Sequence, residues 1–195
     1  MPSYDNDLVL TELATGEGSG TWGDTTNLNL ELIGEAFSYG TEATFDTNAD
    51  KEVTIDQSSH NYRRIFINVT SSQSLDVTRV LTIKPLTVSK IMLIRNSTSG
   101  GQSITIKQGS GNTVTIPNNM TKMIILEGTG AGAGVIDCLD YIDLSSNAKI
   151  GGVSPISADS TTTFTNKTFD ADATGNSLTN VEDANIKSGA AIDAA

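Results

Sequence analysis

The sequence is poor in the residues that most often carry out catalysis. Its 195 residues include one cysteine, Cys138, and one histidine, His60. A lone cysteine excludes a disulfide framework within the chain and a CxxC metal or redox motif. A single histidine, with no cysteine nearby and no GxSxG motif, leaves no nucleophile arrangement to propose. We therefore expect Cys138 to be a small apolar strand residue, His60 to lie in a surface turn, and the chain to have no catalytic residues.

Long hydrophobic runs are also missing. The longest apolar stretches, residues 91–94 and 123–126, are far too short to cross a bilayer. The first twenty residues lack the basic start and apolar run of a signal peptide. We expect synthesis in the cytoplasm of a host cell and no membrane insertion.

Positive charge is scarce as well. Twelve Lys and Arg residues stand against 23 Asp and Glu residues, which gives a net charge of −11. Such a chain is repelled by nucleic acids and by anionic membrane surfaces. We therefore expect no nucleic-acid partner.

What the sequence does contain is β-forming and turn-forming residues. Only 5% of the residues are aromatic and 18% are charged, whereas Ser, Thr, Asn and Gly are abundant. This balance is typical of β-rich surface proteins with many turns. Candidate strands lie at residues 52–56, 62–69, 79–83, 90–96, 103–107, 113–116, 122–127 and 134–139. Their spacing near ten residues predicts a mainly β fold, an antiparallel β-sandwich or jelly-roll-like domain over residues 41–147.

Two parts of this pattern are more specific. Alternating apolar residues and threonines on both sides of the turn at 109–111 predict a hairpin. The runs 91–94 and 123–126 are apolar on both faces. They are predicted to be central strands, or strands covered on the second face by the helix or by a neighbouring subunit.

Residues 21–40 carry a helical pattern. Thr21 with Asp24 three positions later resembles a capping box, and Gly40 is the expected end. At about 100° per residue, apolar side chains cover most of the circumference. This wide arc fits a helix buried in its own domain, or a helix that contacts its own β-domain on one side and another subunit on the other.

The apolar arc and the arm before it supply the predicted partner contacts. The extended arm, residues 1–20, is either draped on its own domain or inserted into a partner. Asn29 lies inside the apolar arc, where it either forms hydrogen bonds within the chain or fixes the register between identical helices. The residues predicted to contact a partner or another copy are Leu8, Leu10, Trp22, Leu28, Asn29, Leu32, Ile33, Phe37, Phe164 and Phe169.

The character of the sequence changes after Asn147. Residues 148–195 hold isolated large apolar residues that are too sparse for the core of a single chain. One such chain is expected to be disordered, whereas three chains wound about an axis can share these residues in a thin common core. The predicted organisation is an arm and helix (1–40), a β-domain (41–147) and an extended fibrous shaft segment (148–195) in a homotrimer.

Motifs for metals and phosphates are incomplete. Asp46, Asn48 and Asp50 match the start of an EF-hand loop, but Lys51 replaces the required Gly and Gln57 the bidentate Glu. The glycine-rich run 128–134 does not have the GxGxxG spacing and no helical pattern follows it. We expect a polar turn, a flexible strand connection, and neither a metal nor a cofactor.

Two further clusters are weighed for glycan chemistry. Tyr62, Arg63 and Arg64 could touch a glycan or an acidic partner, although an ordinary exposed strand start explains them as well. The three aspartates at positions 137, 140 and 143 are regularly spaced. Positions three apart in an extended chain face opposite sides, which does not suit the paired carboxylates of a glycosidase.

Three stretches carry a resemblance to a known family. TWGD-x-TNxNLELI in the helix and the run from Lys90 to Gly134, KIMLIRNSTSGGQSITIKQGSGNTVTIPNNMTKMIILEGTGAGAG, resemble the N-terminal part of tail-fibre-like proteins of marine tailed bacteriophages, cyanophages among them. The end, FTNKTFDADATGNSLTNVEDANIKSGAAIDAA, is similar to the shaft segments of such proteins. The resemblance implies a structural virion protein and brings no catalytic residues.

The resemblance favours one function over two others. The first hypothesis is a trimeric tail-fibre or fibre-adaptor segment in the virion, which docks on tail proteins through its arm and helix and supports host adsorption. In proteins of this family the shaft continues, so the fibre tip is expected beyond Ala195. The alternatives are a polysaccharide-degrading tailspike, which should show repeated β-helix coils, acidic pairs and stacking aromatics, and an adhesin that binds a host surface glycan.

Overall fold

The computed structural model describes residues 3, 4 and 6–140 and shows a mostly β protein with one α-helix and two mixed sheets. The elements in chain order are α1 (Trp22–Ala36), β1 (Tyr39–Phe45), β2 (Lys51–Thr54), a 3₁₀ helix (Asn61–Arg63), β3 (Phe66–Ser71), β4 (Arg79–Lys84), β5 (Lys90–Asn96), β6 (Ile104–Lys107), β7 (Val114–Ile116), β8 (Thr121–Leu126), a second 3₁₀ helix (Gly130–Gly132) and β9 (Val135–Asp137). The predicted mainly β class is confirmed. No helix in this part of the chain is both long and apolar enough to span a membrane.

The strands alternate between the two sheets along the chain. The five-stranded sheet has the order β1-β3-β5-β8-β9 and the four-stranded sheet the order β2-β4-β6-β7. Within each sheet the first three strands are parallel. The chain therefore winds back and forth between the sheets from β1 to β6, and each strand lies beside the next but one in sequence.

The prediction of antiparallel pairing throughout is therefore wrong for β1 to β6. It is correct for the last strands, where β6 pairs with β7, β5 with β8 and β8 with β9, all antiparallel. The predicted hairpin at 109–111 is the β6–β7 pair. Alternation and turn spacing are the same for a meander and for a chain that changes sheet at every turn, which is why the pattern did not distinguish them.

One hydrophobic cluster takes buried side chains from both sheets. The five-stranded sheet contributes Ile67, Val69, Met92, Ile94, Ile124, Leu126 and Val135, and the four-stranded sheet Leu81, Ile83, Ile104, Ile106, Val114 and Ile116. β5 is the middle strand of its sheet and β8 its inner neighbour. The prediction that the two fully apolar runs are interior strands is confirmed.

The helix begins after Thr21, as predicted, but it ends earlier than predicted and lacks the predicted side-chain cap. The Thr21 side chain makes no capping hydrogen bond, and its backbone (φ −126°, ψ −3°) is outside the extended region typical of an N-cap. The helix ends at Ala36, and Gly40 belongs to β1 instead. A Cβ atom on Gly40 would lie 2.5 Å from Cδ of Arg64, so close packing against this side chain explains the glycine.

The N-terminal arm is draped on its own chain. Val9 is 5% exposed and belongs to the hydrophobic cluster. The backbone amide of Ser89 donates to the Asp7 carboxylate (2.8 Å), and Arg63 donates to the carbonyl of Leu8. Arm, helix and sheets form one compact unit.

The glycine-rich run 128–134, predicted to be a flexible connection, is packed against the β6–β7 turn. The amides of Gly109 and Ser110 donate to the carbonyls of Ala133 and Ala131, both at 2.8 Å. Ala133 is fully buried. The run therefore covers one end of the hairpin, and its small residues allow the backbones to approach closely.

Some of the sequence-based predictions lie outside the described residues. These are the shaft segment 148–195 with Phe164 and Phe169, the last part of the predicted β-domain, and Asp143.

Candidate functional site

The helix exposes a row of large apolar side chains. Trp22 is 65% exposed, Leu30 62% and Phe37, the residue after the helix, 77%, with Ile33 half-buried between them. At 100° per residue these four side chains fall within about 80° of one another. We call Trp22, Leu30, Ile33 and Phe37 the helix stripe.

The neighbouring side of the helix is used within the chain. Leu32 is 1% exposed and Ala36 is buried. The Asn29 amide group accepts from the backbone N–H of Thr11 (3.0 Å) and donates to its carbonyl (2.9 Å). Of the two roles considered for Asn29, the structure shows the hydrogen bond within the chain.

The remaining predicted contact residues of this part of the chain are less accessible. Leu28 is 39% exposed at the edge of the buried side, and Leu8 and Leu10 are half-buried in the arm. Among the predicted contact residues in the described part of the chain, the most exposed ones therefore belong to the helix stripe.

A second apolar surface lies on the outside of the five-stranded sheet. Strand register aligns Tyr39, Phe66, Leu93 and Met123 in one row across four strands, and Ile91, Ile125 and Ile136 in a second row. We call these seven residues the outer face. Tyr39 is 59%, Ile91 51% and Ile136 42% exposed, and the rings of Tyr39 and Phe66 contact each other with centroids 5.3 Å apart. The apolar runs in β5 and β8 predict strands that are covered on a second face, but the rows of the outer face depend on which strands are neighbours, and the sequence pattern does not give this.

A polar row borders the outer face. Thr41, Asn68, Arg95 and Thr121 occupy equivalent positions on four adjacent strands. Arg95 is exposed, and Oδ1 of Asn68 is a buried acceptor without a hydrogen bond. An apolar surface bordered by polar side chains is typical of an interaction site.

The charged cluster at the helix end is structural. Arg63 is 1% exposed and Tyr62 is fully buried, so the interpretation of residues 62–64 as an exposed strand start or glycan contact is wrong for these two. Glu35 lies 3.9 Å from Arg63 and 3.6 Å from Arg64. Arg63 donates to the carbonyls of Leu8 and Asp56. The cluster thus joins helix, arm and 3₁₀ helix, and His60 caps that helix by accepting from the amide of Tyr62 (3.2 Å).

Lys90, the first residue of β5, extends this cluster. Its ammonium group donates to the carbonyls of Tyr62 (3.3 Å), Arg63 and Arg64 (3.5 Å). Burial lowers the pKa of Lys90 to about 8, and the positive charge of Arg63 acts in the same direction. A lysine with a lowered pKa can be a nucleophile, but the ammonium group of this one is engaged by three backbone carbonyls.

One cleft within the described residues is polar and open. It has a volume of about 640 Å³ and is lined partly by Asn112, Thr115, Lys122, Asp137 and Asp140. Lys122 donates to the Asp137 carboxylate at 2.7 Å, and this hydrogen bond holds the pKa of Asp137 below its usual range. A glycosidase acid needs a raised pKa, so Asp137 is unsuited to donate a proton.

The polar side chains of the acidic loop after β1 bind other groups of the same chain. Asp46 pairs with Lys51, Asn48 accepts from Arg79 Nε (3.0 Å), and Asp50 accepts from the amide of Val80 (2.9 Å). Residues 3, 4 and 6–140 contain no group of three or more His, Cys, Asp or Glu side chains able to hold a metal ion. The acidic side chains of this loop act as structural ties between β1, β2 and β4.

Comparisons with known proteins do not indicate a function. No protein-family model matches the chain. No curated protein and no solved structure matches it either. A function can therefore be inferred only from the chain's own surfaces, among which the helix stripe and the outer face are exposed and apolar.

Proposed function

We propose that the chain is a structural virion protein, a trimeric tail-fibre or fibre-adaptor segment that attaches a fibre to the phage tail and supports adsorption to the host. The observation that carries this proposal is the pair of exposed apolar surfaces, the helix stripe and the outer face. Soluble monomers rarely leave large contiguous apolar patches in water. A chain of net charge −11 that exposes such surfaces is built for assembly.

The finer architecture belongs to the same proposal. The two sheets form the β-sandwich of the head, and residues 148–195 form the start of the fibrous shaft. Head and shaft share one threefold axis. The arm and helix dock on tail adaptor, nozzle or baseplate proteins, and contact with a host surface glycan belongs to a distal part. The resemblance of the helix segment and of residues 90–134 to tail-fibre-like proteins supports this assignment.

The proposal is tested with the full chain and with virions. Light scattering at micromolar concentration should give the mass of three copies. Mass spectrometry of purified virions of the phage that encodes the chain should detect its peptides alongside those of the tail proteins. A monomeric mass together with absence from virions would refute the proposal.

A polysaccharide-degrading tailspike is the second candidate, and one observation favours it. Each sheet contains two parallel strand pairings, and this stacking of parallel strands resembles the coils of a β-helix, the architecture expected of such an enzyme. The polar cleft beside Asp137 and Asp140 would be its site. Release of reducing ends from host capsular polysaccharide, lost in an Asp140→Asn variant, would support this candidate over the first.

A further inference from the structure

The helix stripe and the outer face differ in shape, and this difference decides how copies can assemble. The stripe is a narrow convex ridge on a single helix, whereas the outer face is a broad surface formed by five strands. In a ring of three copies each interface joins two different patches, because only twofold contacts use the same patch on both sides. A trimer therefore needs two complementary surfaces per copy.

The dimensions of the two surfaces match. From Trp22 to Phe37 the stripe is about 22 Å long at 1.5 Å per residue. Five strands at about 4.8 Å spacing give the outer face a width of about 19 Å. The two rows of the outer face together reach from β1 to β9, so a helix laid across the strands meets apolar side chains along its whole length.

The buried area is also sufficient. With aromatic side chains presenting about 150–250 Å² each when fully exposed, the stripe and the outer face together offer roughly 900 Å² of apolar surface. Apolar atoms make up roughly 60% of an interface, so this corresponds to about 1,500 Å² in total, within the range of stable interfaces. Pairing helix with helix would leave the outer face in water.

We infer that, in the trimer, the helix stripe of each copy packs across the outer face of the next copy. The inference rests on the proposed trimeric function and specifies its interface. The polar row of Asn68 and Arg95 then lies at the rim, where the exposed side chain of Arg95 can bond to the neighbouring copy.

Photo-crosslinking of the full chain tests this arrangement. The photoreactive residue p-benzoylphenylalanine is placed at Leu30, and the irradiated protein is separated on a denaturing gel. We expect a covalent dimer whose acceptor lies in tryptic peptide 91–95 or 123–149. The same residue placed at Val77, which is 50% exposed but belongs to neither surface, should give no covalent dimer.

The digestion pattern separates the possible arrangements. The chain has no Lys or Arg before Lys51, so acceptors in the helix and at Tyr39 of the outer face share peptide 1–51 and are distinguished by fragment sequencing of that peptide. A crosslink from helix to helix would overturn the inference. An intact trimer without crosslinked copies would overturn it too, and would assign the outer face to residues 141–195 or to a tail protein. A chain that stays monomeric would refute the proposed trimer itself.

A pair of charge substitutions gives an independent measurement. Ile91→Asp places a carboxylate in the outer face and should weaken trimer formation at least 100-fold by analytical ultracentrifugation, with an unchanged circular dichroism spectrum. Val77→Asp adds the same charge elsewhere and should leave the trimer intact. Equal behaviour of the two variants would contradict the inference.

Discussion

At the scale of single residues, polar side chains hold the arm and helix to the sheets. Asn29 bridges helix and arm through both its amide atoms, and Arg63 bonds carbonyls of the arm and of the loop after β2. These residues are charged or polar, so a sequence pattern that equates polarity with exposure misplaces them. They hold these elements in place by satisfying backbone groups that strands and helix leave unpaired.

Asn29→Ala tests the first of these ties. The substitution removes both hydrogen bonds to Thr11, and we expect the free energy of unfolding to fall by about 1–2 kcal/mol. Asn27→Ala is the matched control, because Asn27 is exposed on the same helix. Urea unfolding of both variants decides the point, and equal midpoints would show that the bridge contributes nothing.

Lys90 should make stability depend on pH. Its pKa is about 8 in the folded protein, below the ordinary value of 10.5, so between these values the unfolded chain binds more protons and stability rises with pH. From pH 7.5 to 9.5 we expect a gain on the order of 1–2 kcal/mol. Well below pH 8, where Lys90 is protonated in both states, this group contributes no slope.

The comparison that isolates this effect is Lys90→Met against Lys84→Met. Lys84 is 39% exposed and pairs with Glu52 at the surface, so its removal should leave the pH dependence in place. Chemical unfolding across this pH range should show the slope reduced in Lys90→Met alone. A slope that persists in Lys90→Met would assign it to another group.

At the scale of elements, the glycine-rich run and the β6–β7 turn depend on each other's small size. A Cβ on Gly109 would lie 2.5 Å from the carbonyl oxygen of Ala131, whereas a Cβ on Gly132 meets nothing within 4 Å. Gly109→Ala should therefore lower the free energy of unfolding by about 1–3 kcal/mol, since the two backbones must separate. Gly132→Ala should have little effect. Thermal melting of the two variants makes the comparison, and a Gly109→Ala variant as stable as Gly132→Ala would contradict close packing here.

The arm is an element of the fold and not a detachable tail. Removing residues 1–12 takes Val9 from the hydrophobic cluster and removes both hydrogen-bond partners that Asn29 has in Thr11. Arg63 loses the carbonyl of Leu8 and keeps that of Asp56. We expect a loss of several kcal/mol, beginning with about 1–3 kcal/mol for each buried group left unsatisfied. Urea unfolding of the shortened chain measures it, and an unchanged midpoint would show that the arm only rests on the surface.

The elements also show how far a single sequence can be interpreted. The predicted strands overlap eight of the nine observed, because alternation reflects burial on one face. β1 was missed, since its exposed Tyr39 and buried Gly40 at the helix end do not give a strand pattern. The outer face was only partly foreseen, because its rows join residues distant in sequence, such as Tyr39 and Phe66 or Ile91 and Ile125, which become neighbours only through strand pairing. The helix stripe was foreseen as a surplus of apolar residues, because a helical pattern is local.

At the scale of the whole molecule, net charge opposes the proposed assembly. Three copies carry three times −11, or −33. This repulsion is screened by salt, so the trimer should dissociate more readily at low ionic strength. We expect the dissociation constant to fall roughly tenfold or more between 20 and 200 mM NaCl, since about 1.4 kcal/mol of released repulsion suffices for it. Sedimentation at several protein concentrations tests this, and a trimer that weakens with salt would indicate an interface held by ion pairs.

The alternation of strands between sheets determines when the newly made chain can complete its fold. Tyr39 in β1 can pair only after Phe66 has been made, and Phe66 only after Leu93. No pairing among β1 to β6 is therefore local, and each requires closure of a long loop. The short-range hairpins, β6–β7 and β8–β9, leave the ribosome after β1 to β5. Chains rich in distant contacts fold slowly. During synthesis the two described sheets are therefore complete only once residue 137 has emerged.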